Sequence, residues 1–326
     1  MEDVLEVFRG IFKYFFGASK RELISLYPWM SIWEQKCASI VVLLDLLLLI
    51  LLVMIFKNWI ARNRKVLNTA AYGITAFSFV YVGLILGAQP TTANLVILHN
   101  GIKEGAFMLG LFVMEPYIFI LFNFMILTMF VWGRGVFCGW LCPYGAMLEL
   151  LNRLIVNKFP KLRVALPEKV HWKLIYLKYV ILAVILVVGL FNFILAEYLA
   201  EVEPFKTFVL KLQRQWYFVA YFLLITAASL VVYRAYCRYI CPLGAALGLP
   251  SFLKIFPLVK PERHSLCGTC KICGRTCSYQ AIKADGRIDS RECLDCLECQ
   301  VNYWDEHRCP AVIKNKRKAE TQEAKA

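Results

Sequence analysis

The sequence is poor in charged side chains and in histidine. Only 18% of its 326 residues are charged and 60% are hydrophobic, which excludes a single soluble domain. Its four histidines show no ligand spacing, so no haem site is predicted; they are His99, His171, His264 and His307. No segment combines a charged start, a short apolar core and a small-residue cleavage site, so no removable signal peptide is expected.

Acidic residues are scarce beside basic ones, because 23 Asp and Glu stand against 37 Lys and Arg, a net charge of +14. The basic residues are spread over the connecting segments and form no patch interleaved with aromatic side chains, so we expect no nucleic-acid partner. In a membrane protein such an excess is typical of cytoplasmic loops. We therefore expect a multi-pass protein of a prokaryotic cytoplasmic (inner) membrane.

Five apolar stretches are long enough to cross a bilayer. They are residues 38–56, 67–87, 106–132, 174–196 and 216–233. Basic residues follow the first, third and fifth stretches, among them Arg134, Arg234 and Arg238, and we assign them to cytoplasmic loops. The positive-inside rule then predicts the N-terminus outside and the C-terminal domain in the cytoplasm.

Composition divides the chain into four parts. Residues 1–36 form an N-terminal tail whose apolar stripe at helical spacing predicts an interfacial helix. Residues 37–260 form the transmembrane domain, residues 261–312 a small cysteine-rich domain, and residues 313–326 a basic, disordered tail. The predicted fold class is a membrane α-helical bundle of five helices in two parallel repeats, with a small C-terminal α+β two-cluster ferredoxin-like domain.

Cysteine, in contrast, is abundant, and of thirteen residues only Cys37 stands outside two patterns. The first pattern has the spacing C-x2-C-x2-C-x3-C from Cys267 to Cys277 and C-x2-C-x2-C-x9-C from Cys293 to Cys309. Each run supplies three thiolates to one [4Fe–4S] cluster, and in two-cluster ferredoxins the fourth cysteine of a run binds the other cluster. Structural zinc is the alternative, although it prefers two separated C-x2-C pairs.

We thus expect two [4Fe–4S] clusters with crossed ligands. The first set is Cys267, Cys270, Cys273 and Cys309, and the second is Cys293, Cys296, Cys299 and Cys277. Two features depart from the usual run. Ser278 replaces the proline after Cys277, and nine residues separate Cys299 from Cys309 where three are usual. A domain this small has too little apolar core to fold without its metal.

The second pattern is C-x3-C-P, which occurs twice beside apolar stretches. Its cysteines are Cys138 and Cys142 in one copy and Cys237 and Cys241 in the other. Each copy also has an acidic residue followed by proline in an outer loop, Glu115-Pro116 and Glu203-Pro204. This pattern indicates a parallel duplication, whose axis along the membrane normal would bring the four cysteines together.

Three interpretations of these membrane cysteines stay open. A C-x3-C spacing puts both sulfurs on one side of a helical turn, so two pairs can complete a four-sulfur site for an iron–sulfur centre, copper or zinc. The thiols can instead cycle between dithiol and disulfide. Alternatively, they are buried filler where proline and glycine shape close helix contacts.

Acidic residues in or near the apolar stretches are candidates for a proton or quinone site, because charges inside a bilayer are costly. They are Asp45, Glu115 and Glu203. The alternative is that such an acid caps a helix or pairs with Lys206.

Four segments resemble the NosR/NirI family of membrane iron–sulfur proteins. They are WGRGVFCGWLCPYGA (132–146), EVEPFKT (201–207), YCRYICPLGAA (236–246) and CLDCLECQVNYWDEHRCP (293–310), the last with the long final gap. The resemblance implies a flavo-iron–sulfur protein that supports nitrous oxide reduction by feeding electrons toward the periplasmic copper enzyme or its maturation. Only the membrane and ferredoxin half is matched, without the periplasmic flavin-binding domain, so any flavin is expected from a partner chain.

The function expected from motifs and resemblance is electron transfer between a quinone or cytoplasmic donor and a partner reductase, of the nitrous oxide reduction type. The chain would then be an electron-transfer subunit, as in a quinol dehydrogenase. Two alternatives are a copper reduction or delivery factor for a copper enzyme and a redox-sensing membrane regulator. Copper or a further iron–sulfur centre at the four membrane cysteines would separate these hypotheses.

Overall fold

The computed structural model describes residues 29–103, 113–155, 158–252, 267, 270–314 and 316. Within these ranges the chain is helical, and its β pairing is limited to an isolated antiparallel bridge between Ile282 and Ile288. The α+β expectation for the ferredoxin-like domain is therefore wrong for the part described. Between Cys277 and Cys293 the chain forms turns and this single bridge, without regular strands. The predicted interfacial helix and basic tail fall almost wholly outside the described residues.

The helices follow one another along the chain with short connections. In order they are α1 Trp29–Gln35, α2 Cys37–Ile55, α3 Lys57–Arg62, α4 Arg64–Phe77, α5 Thr92–Lys103, α6 Pro116–Val131, α7 Pro143–Ile155, α8 Glu168–Phe191, α9 Phe193–Leu199, α10 Phe205–Val209, α11 Trp216–Val231, α12 Pro242–Gly248, α13 Ile272–Thr276 and α14 Glu298–Trp304. Wider π-helical segments are Ser78–Ile85, Phe137–Leu141 and Tyr236–Ile240, and tighter 3₁₀ turns are Pro160–Leu162, Ala200–Val202 and Pro250–Phe252.

Three helices are long and apolar enough to span a membrane: Cys37–Ile55, Arg64–Ile85 (α4 with its π-helical extension) and Glu168–Phe191. They coincide with the first, second and fourth predicted stretches. The other two stretches contain the shorter apolar helices α6 and α11. Each has 16 residues and a rise of about 24 Å, less than the usual hydrocarbon thickness.

Both C-x3-C-P elements adopt the same backbone. The first cysteine of each pair lies on a short π-helix, and the second, Cys142 or Cys241, ends it with a ψ of 116° or 109°. The following proline then begins a new helix. The helical region is disfavoured for a residue before proline, and proline suits the first helical position because its missing N–H would have no partner there. The sequence itself therefore dictates this break.

The two halves pack in matching ways. Helix α7 packs against α4 and its π-helical extension, while α8 packs against α12 and the segment Tyr236–Ile240. Helix α7 also contacts α11 of the other half. Close approach is enforced at Gly83, where a Cβ atom would lie 2.9 Å from Cβ of Pro143. Pro143 thus lies near the end of this span opposite Arg64.

The ferredoxin-like domain lies against the other end of the bundle. Helix α14 packs on α3, and Arg64 at the start of the second span donates a hydrogen bond to Glu298 at 3.0 Å. The domain therefore sits where the first span ends and the second begins.

Candidate iron–sulfur and membrane cysteine sites

A cavity of about 800 Å³ lies between α4, α7 and the ferredoxin-like domain. Its wall contains all four cysteines expected for the second cluster: Cys277, Cys293, Cys296 and Cys299. Thiolate sulfur is the ligand that iron–sulfur clusters require. The donor set in this wall therefore fits a [4Fe–4S] cluster.

A second, smaller cavity of about 20 Å³ adjoins the first. Its wall contains the four cysteines expected for the first cluster: Cys267, Cys270, Cys273 and Cys309. Cys273 and Cys299 border both cavities, so the two sites are neighbours. The structure brings Cys309 to the first run and Cys277 to the second, which is the arrangement that crossed ligand sets require. The ligand sets themselves stay a prediction.

The cysteine-rich domain offers no comparable site for a single metal ion. Within the part of the chain that the structure describes, no three Cys, His, Asp or Glu side chains are grouped closely enough to hold one ion. A cubane cluster keeps its thiolates farther apart than a tetrahedral ion does, because iron and sulfide fill the space between them. The spacing of these cysteines therefore gives no support to structural zinc.

The four membrane cysteines converge in one apolar core. Cys241 is buried in it, and Cys138, Cys142 and Cys237 pack against it. Cys142 lies within electrostatic range of Cys138 and Cys237, and so does Cys241. In each repeat, a backbone N–H three residues on donates to the second sulfur: Gly145 to Cys142 at 3.5 Å and Gly244 to Cys241 at 3.2 Å. Such donors suit a sulfur that carries negative charge or a metal.

Two buried arginines cross from one repeat to the other. Arg134 Nη1 donates to the carbonyl of Gly244 at 3.1 Å, and Arg234 Nη1 donates to the carbonyl of Cys138 at 3.1 Å. Both side chains are almost fully buried. Arg238 is buried as well, so these three residues are not the solvent-exposed loop residues that their composition suggests, while their cytoplasmic side stays a prediction. The missed signal was an arginine shortly before the cysteine pair in both copies.

Arg134 is paired with a buried carboxylate, and Arg234 is paired with a partly buried one. Arg134 contacts Glu292 at 3.0 Å, and Lys178 contacts the same carboxylate at 2.6 Å. Arg234 contacts Glu149 at 3.2 Å. Because Glu292 directly precedes Cys293, the first of these groups anchors the second-cluster loop to the membrane helices. No sequence motif points to Glu292, Lys178 or Glu149, because their roles arise only from these contacts.

The acidic candidates separate into three environments. Asp45 lies on the exposed, apolar face of α2, and Glu115 is exposed and pairs with Lys36 at 3.6 Å. Glu203 is buried within electrostatic range of Cys241. The structure therefore brings only Glu203 of the three to the membrane cysteines.

The counterpart of Glu203 in the first repeat is Gln89, which also precedes a proline. Gln89 is buried, and its Nε2 donates to Cys142 Sγ at 3.7 Å. Glu115 and Glu203 therefore lie in different environments, because Glu115 is exposed and paired with Lys36, whereas Gln89 contacts Cys142 and Glu203 lies within electrostatic range of Cys241. Glutamine in one repeat and glutamate in the other make the site asymmetric.

Glu203 also caps a helix, which is the alternative role predicted for these acidic residues. Both of its carboxylate oxygens accept from the backbone N–H of Thr92 at the start of α5, at 2.9 and 3.1 Å, and one also accepts from the Thr92 hydroxyl. Burial raises the pKa of Glu203 to about 7, against the lowering effect of these hydrogen bonds and of Lys206. Glu203 therefore has a proton affinity suited to exchange near neutral pH.

Glu203→Gln is expected to remove a pH dependence of stability. The folded pKa of about 7 exceeds the ordinary value of 4.5, so the folded state binds more protons between these values. The contribution of Glu203 to the free energy of unfolding is complete below pH 4.5. It falls by on the order of 3 kcal/mol as the pH rises to 7. The difference in melting temperature between wild type and variant, measured from pH 4.5 to 8, should follow this course.

The charges that face Glu203 are Lys206, Glu201, Tyr236 and Cys241. Glu201→Gln is the matched control, because Glu201 is partly exposed and paired with Lys206 and Arg214. The prediction would be contradicted if the difference in melting temperature between wild type and Glu203→Gln stayed constant with pH.

Together, apolar spans, two adjoining cavities walled by cysteines and a four-cysteine group in the core define a membrane iron–sulfur protein. Comparison with known families agrees. A family model described as NosR matches residues 265–320, and one described as a 4Fe-4S binding domain matches both 115–161 and 215–256, the two C-x3-C-P segments. The chain belongs to the NosR/NirI family.

Three relatives support this assignment. "Regulatory protein NosR" of Pseudomonas aeruginosa is 41% identical over 301 residues, which cover 91% of this chain and 41% of that protein. "Protein NirI" of Paracoccus denitrificans is 36% identical over 89% of this chain and 42% of its own length. A shorter "Regulatory protein NosR" from Pseudomonas aeruginosa is 51% identical over 25% of this chain and 80% of its own length. The chain thus spans about two fifths of the first two relatives. No solved structure matches it.

Proposed function

We propose that this protein carries electrons across the cytoplasmic membrane between a quinone or cytoplasmic donor and a partner reductase, of the nitrous oxide reduction type. One observation carries the proposal. Cys138 of the membrane group packs with Cys277 and Cys293 of the second cluster set against one small apolar cluster. That cluster consists of Tyr233, Tyr279, Ala281 and Leu294. A packed apolar contact between two redox-capable cysteine sites supports passage of electrons from one to the other.

The two sites are held together at their backbones. A Cβ atom at Gly139, between Cys138 and Cys142, would lie 2.3 Å from the carbonyl oxygen of Leu294, so only glycine allows this approach. The neighbouring Trp140 donates from Nε1 to the carbonyl of Asp295 at 3.0 Å. The loop that carries Cys293 and Cys296 therefore rests directly on the π-helix of the first membrane cysteine pair.

The depth of the membrane cysteines supports a transmembrane route. Cys142 precedes Pro143, which packs on Gly83 near the end of the second span opposite Arg64. The cysteine group would thus reach from the ferredoxin-like domain toward the outer half of the bilayer. On this proposal α6 and α11 complete a five-span bundle of two parallel repeats, with the N-terminus outside and residues 261–312 in the cytoplasm.

Two [4Fe–4S] clusters on the crossed ligand sets would supply one-electron carriers. The chain's own residues would hold these carriers in a fixed relation, and Glu292 anchors the loop of Cys293 to the membrane helices. A third centre, of iron–sulfur or copper type, would occupy the four membrane cysteines. The electron acceptor would be a reductase such as a periplasmic nitrous oxide reductase.

Copper reduction or delivery is the second candidate, favoured by one specific observation. The four membrane cysteines pack in one apolar core, and thiolate sulfur is the soft donor that Cu(I) prefers. No three of them are grouped closely enough in this structure to hold one ion, so copper would have to draw the two pairs together. The clusters would then supply the electron that reduces the metal. A redox-sensing regulator is the third candidate, because two of the relatives carry the word "regulatory" in their names.

The test is electron transfer through the full-length protein, purified anaerobically and inserted into liposomes. With reductant on the ferredoxin side and impermeant ferricyanide opposite, we expect transfer that Cys138→Ala with Cys237→Ala lowers at least tenfold. About eight iron and eight sulfide per chain should remain in that variant, because the crossed ligand sets are untouched. Cys37→Ala serves as the matched control, since Cys37 is exposed and lies outside both patterns.

Iron above eight per chain in the wild type alone would identify a further iron–sulfur centre at the membrane cysteines. Unchanged electron transfer with lost copper loading in the double variant would favour the copper candidate. A wild-type protein with full clusters that passes no electrons to ferricyanide would overturn the electron-transfer proposal.

A further inference from the structure

We infer that the Asp295 carboxylate lowers the reduction potential of the second cluster and so favours electron passage from that cluster to the membrane cysteines. This inference rests on the proposed electron transfer and names a residue that tunes one of its steps. Three observations carry it. They are the contact of the carboxylate with a ligand sulfur, its fixed position against a membrane segment, and the cations beside Cys138.

The Asp295 side chain lies beside an expected ligand of the second cluster. Asp295 stands between Cys293 and Cys296 in the sequence, and the Cys293 thiol donates to its Oδ1 atom at 3.7 Å. A cysteine must give up this proton to bind iron, after which two negative groups face each other. A cluster becomes more negative when it accepts an electron, so a carboxylate at this position opposes reduction.

The membrane segment before Cys138 fixes the position of this carboxylate. A Cβ atom added to Gly135 would clash with Oδ2 of Asp295 and would lie 2.9 Å from its Cγ. Trp140 donates to the carbonyl of Asp295 at 3.0 Å, which holds the backbone of the same residue. The φ of Asp295 is 44°, in the left-handed region that Asp and Asn adopt more readily than most residues. The side chain is therefore held beside Cys293 by contacts from the membrane domain.

The other acidic side chains in this cavity wall are held by arginines. Glu298 is paired with Arg64 at 3.0 Å, and Glu149 is paired with Arg153 at 2.8 Å and with Arg234 at 3.2 Å. Their negative charges are thus compensated at short range. Among the described acidic residues of this wall, Asp295 is the one whose carboxylate contacts a cysteine sulfur.

The membrane cysteines have the opposite electrostatic environment. Three cations lie within electrostatic range of Cys138: Arg134, Lys178 and Arg234. Arg134 and Lys178 share a single carboxylate, that of Glu292, so positive charge is in excess beside Cys138. An electron is therefore disfavoured next to Asp295 and stabilised at the membrane cysteines. This difference gives the step from the second cluster its direction.

A potentiometric titration of the full-length holoprotein, purified anaerobically and followed by electron paramagnetic resonance, tests the inference. Asp295→Asn removes the charge but keeps the size of the side chain and the backbone N–H that bonds to the Cys293 sulfur. We expect the equilibrium constant for reduction of the second cluster to rise at least tenfold, or about 59 mV for a one-electron couple. The second cluster is identified as the signal that Cys277→Ser lacks. The first cluster should change less than threefold.

Asp285→Asn is the matched control. It makes the same substitution in the same domain, but Asp285 is 53% exposed and paired with Arg287 at 3.5 Å. Water screens an exposed charge, so the second-cluster potential should stay at the wild-type value. Asp295→Gly protects the test from a local folding defect, because glycine adopts a positive φ without strain. Its second-cluster potential should rise as in Asp295→Asn.

An unchanged or lowered second-cluster potential in Asp295→Asn and Asp295→Gly, with about eight iron per chain retained, would overturn the inference. An equal shift of both clusters would do the same. Loss of the second cluster in both variants would also overturn it, since the carboxylate would then serve cluster assembly.

The outcome is separable from that of the liposome experiment, because the potentials are measured without a membrane. If the second-cluster potential rises as expected but the wild type passes no electrons across liposomes, the effect of Asp295 on the cluster stands and the transfer proposal fails. If electrons cross but the potential does not shift, the transfer proposal stands and the role of Asp295 is refuted.

Discussion

A Cys277→Ser protein is expected to lose its second cluster and keep its first. Cys277 follows Cys273 by four residues, yet it lies in the cavity of Cys293, Cys296 and Cys299, whereas Cys309 completes the other cavity. Iron should fall from about eight to about four per chain, since each cubane holds four. The remaining cluster should protect its own cysteine ligands from alkylation.

Anaerobic alkylation followed by peptide mass spectrometry gives the decisive measurement. In Cys277→Ser, Cys293, Cys296 and Cys299 should become alkylated. In Cys309→Ser, the pattern should reverse, with alkylation of Cys267, Cys270 and Cys273. Cys37→Ser, at the exposed thiol, should leave both sets protected. Alkylation of the first run in Cys277→Ser would contradict the crossed arrangement.

Glu292→Gln is expected to destabilise the protein more than any other single charge removal considered. The substitution preserves shape but leaves Arg134 and Lys178 buried without a counter-charge, at 2% and 0% exposure. Removing one partner of a buried ion pair costs about 3–5 kcal/mol. The melting temperature in detergent should therefore fall, by on the order of 10 °C.

Glu298→Gln provides the matched comparison. Glu298 also joins the ferredoxin-like domain to a membrane helix, through Arg64, but both side chains of this pair are more than 40% exposed. Exposed pairs contribute about 0–1 kcal/mol, so its melting temperature should stay near that of the wild type. Equal shifts of the melting temperature in the two variants would show that Glu292, with Arg134 and Lys178, is not a buried anchor.

The Glu292 group also connects stability to electron transfer. Glu292 precedes Cys293, and Arg134 reaches from it to the carbonyl of Gly244 in the second repeat. One arginine thus touches both the second-cluster loop and the segment of Cys241. We expect loss of this anchor to loosen the contact at Gly139 as well, because the same loop makes both contacts.

Much of the candidate site was predictable because it is local in sequence. Cysteine spacing specifies which thiols share a loop, and apolar length specifies which segments span a membrane. The proline after Cys142 and Cys241 specifies where each π-helix ends. By the same local logic, the predicted first, second and fourth spans agree with the three long apolar helices of the structure.

Other features of the site depend on packing between distant segments and could not be predicted from local sequence. Arg134 and Arg234 have the composition of cytoplasmic loop residues, and only their contacts with Gly244 and Cys138 reveal a buried, cross-repeat role. Glu115 looked equivalent to Glu203 because both precede proline. Only the contact with Cys142 identifies Gln89 as the true counterpart.

By itself, then, the sequence determined the kind of chemistry and the kind of environment: cubane-type cysteine runs, apolar spans and a duplicated C-x3-C-P element. The tertiary structure alone decided that Cys138 shares an apolar cluster with Cys277 and Cys293, and that Asn152 lines the same cavity as the second cysteine set. The physical reason is that ligand type and hydrophobic length are properties of short segments. Burial, charge pairing and the distance between redox sites arise only when segments more than a hundred residues apart pack together.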